Sequence, residues 1–248
     1  MDAATIHLAF DGGTLVVTGP DPDQLAALPY CRLDERTGVR RAEAIHYRAL
    51  VEHLRREKIP YTDAARAYQP TPWPLRTSRD PFPHQTEALQ TWWNAGGRGV
   101  VVLPTGTGKT FLAILAINKV GRPTLVVTPT IDLLNQWYGE LALAFDVPIG
   151  AVGGGNHEYQ PLTVTTYDSA YIHLERWGNR FGLIVFDECH HLPGPTYLQA
   201  ASGSIAPYRL GLTATPERTD GQEGMLDALI GPIVYRREIK ELAGDFLA

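Results

Sequence analysis

Short apolar runs alternating with helical patterns limit most strongly what this chain can fold into. The runs are Val100 to Leu103, Leu125 to Thr128, Leu162 to Thr165, Leu183 to Phe186 and Arg209 to Leu212. Between most of them lie helical patterns, at His84 to Asn94, Lys109 to Lys119, Ile131 to Phe145 and Asp168 to Arg176. Strand–helix alternation of this kind predicts βαβ units, hence an α/β fold with a parallel sheet and helices on both faces. In such sheets ligands bind beyond the carboxyl ends of the strands. The chemistry is therefore expected in the segments that follow the five runs.

Ahead of this unit the composition shifts. Six of the 19 prolines fall between Pro60 and Pro83. Proline lacks an amide donor and restricts its neighbour, so this stretch reads as a linker, with residues 71–83 at its centre. Residues 1–70 read as a small α+β domain and residues 84–248 as the larger one. In the small unit, Thr5 to Phe10 and Thr14 to Thr18 flank Asp11, Gly12 and Gly13, which is a hairpin signal. A helix is predicted over Arg41 to Lys58, with Tyr47, Leu50, Val51 and Leu54 as its apolar stripe. Arg41, Arg48 and Arg55 then share another face, either a phosphate-contacting surface or simply a solvated one.

Three segments after the runs carry chemistry. The first is Leu103-Pro-Thr-Gly-Thr-Gly-Lys-Thr110. Gly106 and Gly108, flanked by Thr105 and Thr107, let backbone amides converge on phosphates at a helix N-terminus. Lys109 reaches the β- and γ-phosphates, and the Thr110 hydroxyl binds Mg²⁺. The full pattern has glycine where this chain has Leu103. The second segment is Asp187-Glu188-Cys189-His190. In a nucleoside triphosphatase Asp187 shares the Mg²⁺ with Thr110, and Glu188 polarises the attacking water. Cys189, His190 and His191 are consecutive and cannot close around one zinc ion. The third is Thr213-Ala214-Thr215, whose hydroxyls could bridge the acidic pair to a second site.

A glycine phosphate loop, a DECH box and a TAT triplet in this order resemble superfamily 2 helicases and translocases, over roughly residues 80 to 235. The resemblance implies a RecA-like domain using ATP and Mg. It implies that Gln85, in Phe82-Pro-His-Gln85, reads the adenine edge, with Phe82 where an arginine often stands. It places nucleic acid contacts at Pro129 and Thr130, with Leu133, Gln136 and Trp137 in the same motif. Further strand-tracking contacts are implied at Gly153 and Gly154 (followed by Gly155) and at Thr165 (in Thr165-Thr166-Tyr167-Asp168-Ser169). Coupling is assigned to Thr213 and Thr215. The stretches PLTVTTYDSAY, NRFGLIVFDECHHLP and APYRLGLTATPERTDG are similar to the XPB-type DNA repair helicases. That family carries a small damage-recognition domain before its motor, and an Arg-Glu-Asp motif implicated in opening DNA. Arg218-Thr219-Asp220 stands at that place without the central acid, and Arg218 and Asp220 are the implied DNA contacts.

The composition narrows the setting. A net charge of −5 argues against holding nucleic acid by bulk positive charge, but not against contacts from amides and hydroxyls. The longest apolar run is Phe111 to Ile117, too short for a membrane span of about 20 residues. Two cysteines, Cys31 and Cys189, with no secretory leader, point to a reducing, intracellular setting. Superfamily 2 motors have two RecA-like domains, and the 33 residues after Thr215 are too few for the second. The expectation is the N-terminal half of an ATP-dependent DNA helicase, weakly active alone, with DNA, a second RecA-like domain and a repair nuclease as partners. The alternatives are a double-stranded DNA translocase of a restriction or remodelling system, and an ATP-gated DNA-binding module.

Overall fold

Gly12 and Gly13 take positive φ, and the chain reverses there as the hairpin signal requires. The computed structural model describes residues 5–76, 79–192, 195–215 and 223–242. β1 (Ile6–Asp11) and β2 (Thr14–Thr18) pair antiparallel around the two glycines. After α1 (Pro22–Ala27), capped by the Asp21 carboxylate, β3 (Arg32–Asp34) and β4 (Val39–Glu43) add a second hairpin. Then come α2 (Tyr47–Arg56) and β5 (Tyr61–Asp63), which pairs parallel with β1. The sheet order is β3-β4-β2-β1-β5. Ile6, Leu8, Leu15, Val17 and Ala42 on its inner face pack against Tyr47, Leu50, Val51 and Leu54 of α2.

Two expectations are corrected here. The helix predicted from Arg41 begins at Tyr47, because Val39–Glu43 pairs with both β2 and β3 and that satisfies its backbone groups. The three arginines therefore share no face. Arg41 lies on β4 and is held by Asp11 at 2.8 Å and Asp34 at 3.4 Å. Arg48 donates to the Gly96 and Pro207 carbonyls, and Arg55 to the Tyr61 hydroxyl. The proline-rich stretch is also not a loose tether. It contributes β5 at a sheet edge, where a strand following Pro60 is tolerated. It then straps across the larger unit. The Thr71 amide donates to Gly121 O, the Trp73 indole to Arg122 O, Asn118 to Trp73 O, and the Arg76 amide to Ala144 O.

The larger unit follows the predicted alternation. α3 (Pro83–Asn94), β6 (Arg98–Val102), α4 (Lys109–Val120), β7 (Thr124–Thr128) and α5 (Ile131–Ala144) come first. β8 (Ile149–Gly153), β9 (Asn156–Glu158), β10 (Leu162–Thr166), α6 (Tyr167–Trp177) and β11 (Leu183–Asp187) follow. α7 (Pro195–Ser202), β12 (Tyr208–Thr213), α8 (Glu223–Leu229), β13 (Ile233–Arg236) and α9 (Ile239–Leu242) complete the described elements. The order is β13-β6-β12-β11-β7-β10-β8-β9, parallel except for β8 with β9. Alternate strand residues serve opposite cores. Val101, Val126, Val164, Val185 and Leu210 face α3, α4 and α5. Val100, Val102, Leu125, Val127, Ile184 and Phe186 face α6 and α8. No helix among the described residues is long and apolar enough to cross a membrane.

The small unit docks where the strands begin. Arg48 reaches the carbonyls of Gly96 and Pro207, just before β6 and β12. Asn179, ahead of β11, accepts from the Ala67 amide through its backbone carbonyl and donates its side chain to Ala65 O. Ile205 is buried in the small unit's core, and Ile45 in the larger one's.

Arg209 on β12 is fully buried. Its guanidinium donates to the carbonyls of Ala201, Ser204, Ala206 and Leu229, so one cation joins the ends of α7 and α8 to the sheet. Arg209→Leu leaves those carbonyls without a donor. It is expected to destabilise the chain by about 3 kcal/mol or more, read as a fall in the urea midpoint. An unchanged midpoint would contradict this role.

Candidate nucleotide and nucleic-acid site

β6 delivers the phosphate loop. Leu103 is buried in the core and its amide donates to Thr213 O, so this position belongs to the sheet. That explains how a leucine replaces the usual glycine: the side chain points away from the loop into apolar packing. Gly106 and Gly108 both take φ above +80°, which only glycine adopts without strain. Thr107 closes the turn by donating its hydroxyl to Pro104 O. Gly108 precedes α4, whose first residue is Lys109. The Lys109 ammonium donates to Leu103 O at 3.1 Å and lies 4.0 Å from Glu188. Thr105 is exposed on the loop, and Thr110, the second residue of α4, is partly exposed.

Gln85 does not present its amide edge outward. It is fully buried, its Oε1 accepts from the Phe82 amide, and its Nε2 donates to Thr107 O and Gly108 O. Both amide hydrogens are thus committed to the loop. Gln85 thus fastens α3 to the phosphate loop, and the adenine contact is what the resemblance implies for it. His84 adds a contact from its Nε2 to Thr107 O. Arg79, which the sequence reading passed over, lies over the Phe82 and Phe111 rings beside this loop.

β11 ends in Asp187, two strands from the loop. Its Oδ2 accepts from the Trp137 indole at 2.7 Å and its Oδ1 from the Glu188 amide at 3.1 Å. Its carbonyl accepts from the Tyr167 hydroxyl at 3.0 Å. Burial pushes the Asp187 carboxyl above the ordinary carboxylate value, with the Glu188 charge adding to the rise and Trp137 and Lys109 opposing it. Glu188 adopts a left-handed conformation at φ 47°, uncommon for a residue with a side chain, and this turn aims its carboxylate at Lys109 and His190. His190 Nδ1 lies 3.0 Å from the Thr213 hydroxyl and 3.5 Å from Glu188. Thr213 in turn donates to Thr215 O and accepts from the Thr215 amide. The acidic box and the TAT triplet, 23 residues apart between His190 and Thr213, therefore form one polar network.

Farther along the same edge, the Thr130 hydroxyl caps α5 by accepting from the Leu133 amide, and Pro129 sits just before it. Gly153 packs beside Leu134 and Thr166, and Gly154 beside Ile131, so the ends of β7, β8 and β10 are neighbours. Two side chains of these segments turn inward. Thr165 is fully buried and its hydroxyl donates to Val152 O, which ties β10 to β8. Trp137 is likewise buried against Asp187. Thr166, next in sequence, caps α6. Arg218 and Asp220 lie outside the described residues.

The family model for the type III restriction enzyme res subunit matches residues 78–218, and that for the Xeroderma pigmentosum group B helicase damage recognition domain matches residues 8–65. The DNA 3'-5' translocase XPB2 of Sulfurisphaera tokodaii is 47% identical over 165 residues, covering 66% of this chain and 37% of that protein. The DNA 3'-5' helicase XPB of Mycobacterium tuberculosis is 39% identical over 181 residues, covering 68% and 32%. The chain thus spans about a third of the length of these relatives. Among solved structures, the UvsW helicase of bacteriophage T4 superposes with a TM-score of 0.56 at 14% identity, over 93% of this chain and 99% of that one. The Pyrococcus furiosus Hef helicase domain gives 0.56 at 24% identity, over 66% of this chain and 39% of that one. These two likenesses establish the fold.

Gly108→Ala tests the loop. A methyl group at φ +82° is strained and would collide with Gln85 Nε2. The variant is expected to lose about 1–2 kcal/mol of stability and all measurable ATP binding in equilibrium dialysis. Wild-type binding would sink the loop assignment.

Proposed function

This chain belongs to the family of the type III restriction enzyme res subunit, as an XPB-type superfamily 2 helicase chain, and from that premise we propose that it is the ATP- and DNA-binding front half of an ATP-driven DNA helicase or translocase acting in repair. One observation carries the reading: the phosphate loop, the acidic box and the TAT triplet meet in one polar network on the carboxyl edge of one sheet.

The residues divide the work as follows. Amides of Thr105 to Thr110 surround the β- and γ-phosphates at the start of α4, where the helix dipole favours negative charge. The Lys109 ammonium, which donates to the Leu103 carbonyl, would find a stronger, charge-assisted partner in a phosphate oxygen. Thr110 and Asp187 offer a hydroxyl and a carboxylate, hard oxygen donors suited to Mg²⁺. Each Asp187 oxygen accepts one hydrogen bond and keeps a lone pair for the ion. The ion, when bound, neutralises charge on the phosphates. Glu188 orients and polarises the attacking water, and His190 with Thr213 fixes its carboxylate and links it to Thr215.

DNA lies along the same edge, against Pro129, Thr130, Gly153 and Gly154, with Arg218 and Asp220 added from outside the described residues. A second RecA-like domain, in the C-terminal part of the protein, supplies the arginines that reach the γ-phosphate. Residues 1–70 act as the lesion-sensing unit, and a repair nuclease uses the opened strand. The setting is intracellular.

A trans-acting arginine is worth about 10³–10⁵ in turnover. The 248-residue chain is therefore expected to bind Mg-ATP with turnover near background, with or without forked DNA. Lys109→Ala should lose nucleotide binding, whereas Glu188→Gln should keep it. Loss of binding in Glu188→Gln, or robust DNA-stimulated turnover by the chain alone, would refute this division of roles.

A further inference from the structure

Two buried aromatic side chains converge on Asp187 from two different helices. Trp137 donates its indole N–H to Oδ2 at 2.7 Å, and Tyr167 its hydroxyl to the backbone carbonyl at 3.0 Å. Both are almost fully buried, so neither serves a ligand directly. Their places in the chain carry the argument. Trp137 lies on α5 two turns, about 10 Å, beyond the Thr130 cap. Tyr167 is the first residue of α6, directly after its Thr166 cap. Thr128 shares its one hydroxyl proton between Thr130 O at 3.2 Å and Thr165 O at 3.3 Å, so a single side chain lies between the two helix starts. Leu134 and Ile131 of α5 press on Gly153 and Gly154.

The two helices that open on the strand-contacting edge thus each place a donor on Asp187, Trp137 of α5 on its carboxylate and Tyr167 of α6 on its backbone carbonyl. We infer that Trp137 and Tyr167 are positioning residues that couple DNA contact at the α5 and α6 starts to Mg-nucleotide binding through Asp187. This rests on the proposed function. Each arm has a geometric reason to act. A carboxylate fixed by a donor on one oxygen can turn only its remaining lone pairs toward a cation. A shift of α5 when its first turn meets a phosphate backbone moves the indole donor on the carboxylate, and a shift of α6 moves the hydroxyl that holds the Asp187 main chain. The helices are rigid over this length, so a movement at Thr130 or Thr166 is not absorbed on the way.

The test is calorimetric titration of the full 248-residue chain with ATP, in Mg²⁺ and in EDTA, with and without forked DNA. Wild type is expected to bind ATP more tightly with Mg²⁺, and more tightly again with DNA. Trp137→Phe should keep the EDTA affinity within twofold. Its Mg²⁺-dependent gain should fall about tenfold, the scale of one hydrogen bond to a charged group, and the DNA effect should vanish. Tyr167→Phe, which removes a single oxygen, should lose the DNA effect with a smaller loss of the Mg²⁺ gain. Trp92→Phe is the matched control, since the Trp92 indole donates to Arg209 O away from the site; it should behave as wild type. An unchanged Mg²⁺ gain and DNA effect in Trp137→Phe overturns the inference, as does an equal loss in Trp92→Phe. Should Trp137→Phe melt below the assay temperature, Tyr167→Phe decides by the same criteria. Wild type binding no ATP in either buffer overturns the proposed function itself, an outcome distinct from loss of coupling in the variants.

Discussion

Parallel pairing of β6, β12, β11, β7, β10 and β8 makes all six strands end on one edge. The other features of the larger unit depend on that constraint. Backbone carbonyls and helix starts gather on the carboxyl edge, and polar residues can stand there without being sealed in the core. The phosphate loop after β6 and Asp187 after β11 are separated only by β12, whose own end supplies Thr213. The His190–Thr213 and Lys109–Glu188 contacts follow from this spacing. On the other side of β11, the ends of β7, β10 and β8 form a second group. Asp187 lies between the two groups, which is why aromatic donors from α5 and α6 can reach it.

Buried polar side chains mark where the fold sets function or uniqueness above ease of packing. Arg209 takes a cation into the interior and offsets the loss of water with four carbonyl acceptors. Gln85 is held the same way, with both ends of its amide engaged. Asp187 differs. Its carboxyl is pushed upward by burial, and its two donors compensate only in part. Glu188, in a left-handed turn beside it, adds backbone strain at the same place. The two least relaxed residues of the edge are thus the two carboxylates assigned to the chemistry.

Much of this was legible in the sequence, for physical reasons. The five strand positions and four helices were legible because buried parallel strands are continuous apolar runs, and caps such as Thr130 and Gly121 bound the helices. The phosphate loop was legible because its glycines meet a conformational need. β4 was not, since Val-Arg-Arg-Ala-Glu lacks strand periodicity and is held by its two neighbours. β8 contains two glycines and reads as a turn, although its close approach to β9 and β10 excludes a side chain at Gly150. The burial of Thr165 and Trp137 was not legible, for a single reason. A motif says which segment lies at an edge, but not which of its side chains turn inward. The Trp137–Asp187 bond joins residues 50 apart, and nothing local announces it.

The opposite edge completes the logic. Every hydrogen bond described between the small unit and the sheet ends on a segment that precedes a strand: Gly96, Asn179 or Pro207. The strap from Thr71 to Arg76 follows the ends of α4 and α5, at Gly121, Arg122 and Ala144. This placement leaves the carboxyl edge uncovered by the small unit. It also separates the small unit from the nucleotide by the full length of the strands, about 17 Å for five residues. Arg48 sits at the head of two strands, β6 and β12, and stacks over Tyr208, which in turn stacks on Trp93 of α3. α3 is the helix that Gln85 fastens to the phosphate loop. One continuous path of packed side chains and hydrogen bonds thus joins the small unit to the loop, through an arginine that the sequence pattern had assigned to the solvent or to a phosphate.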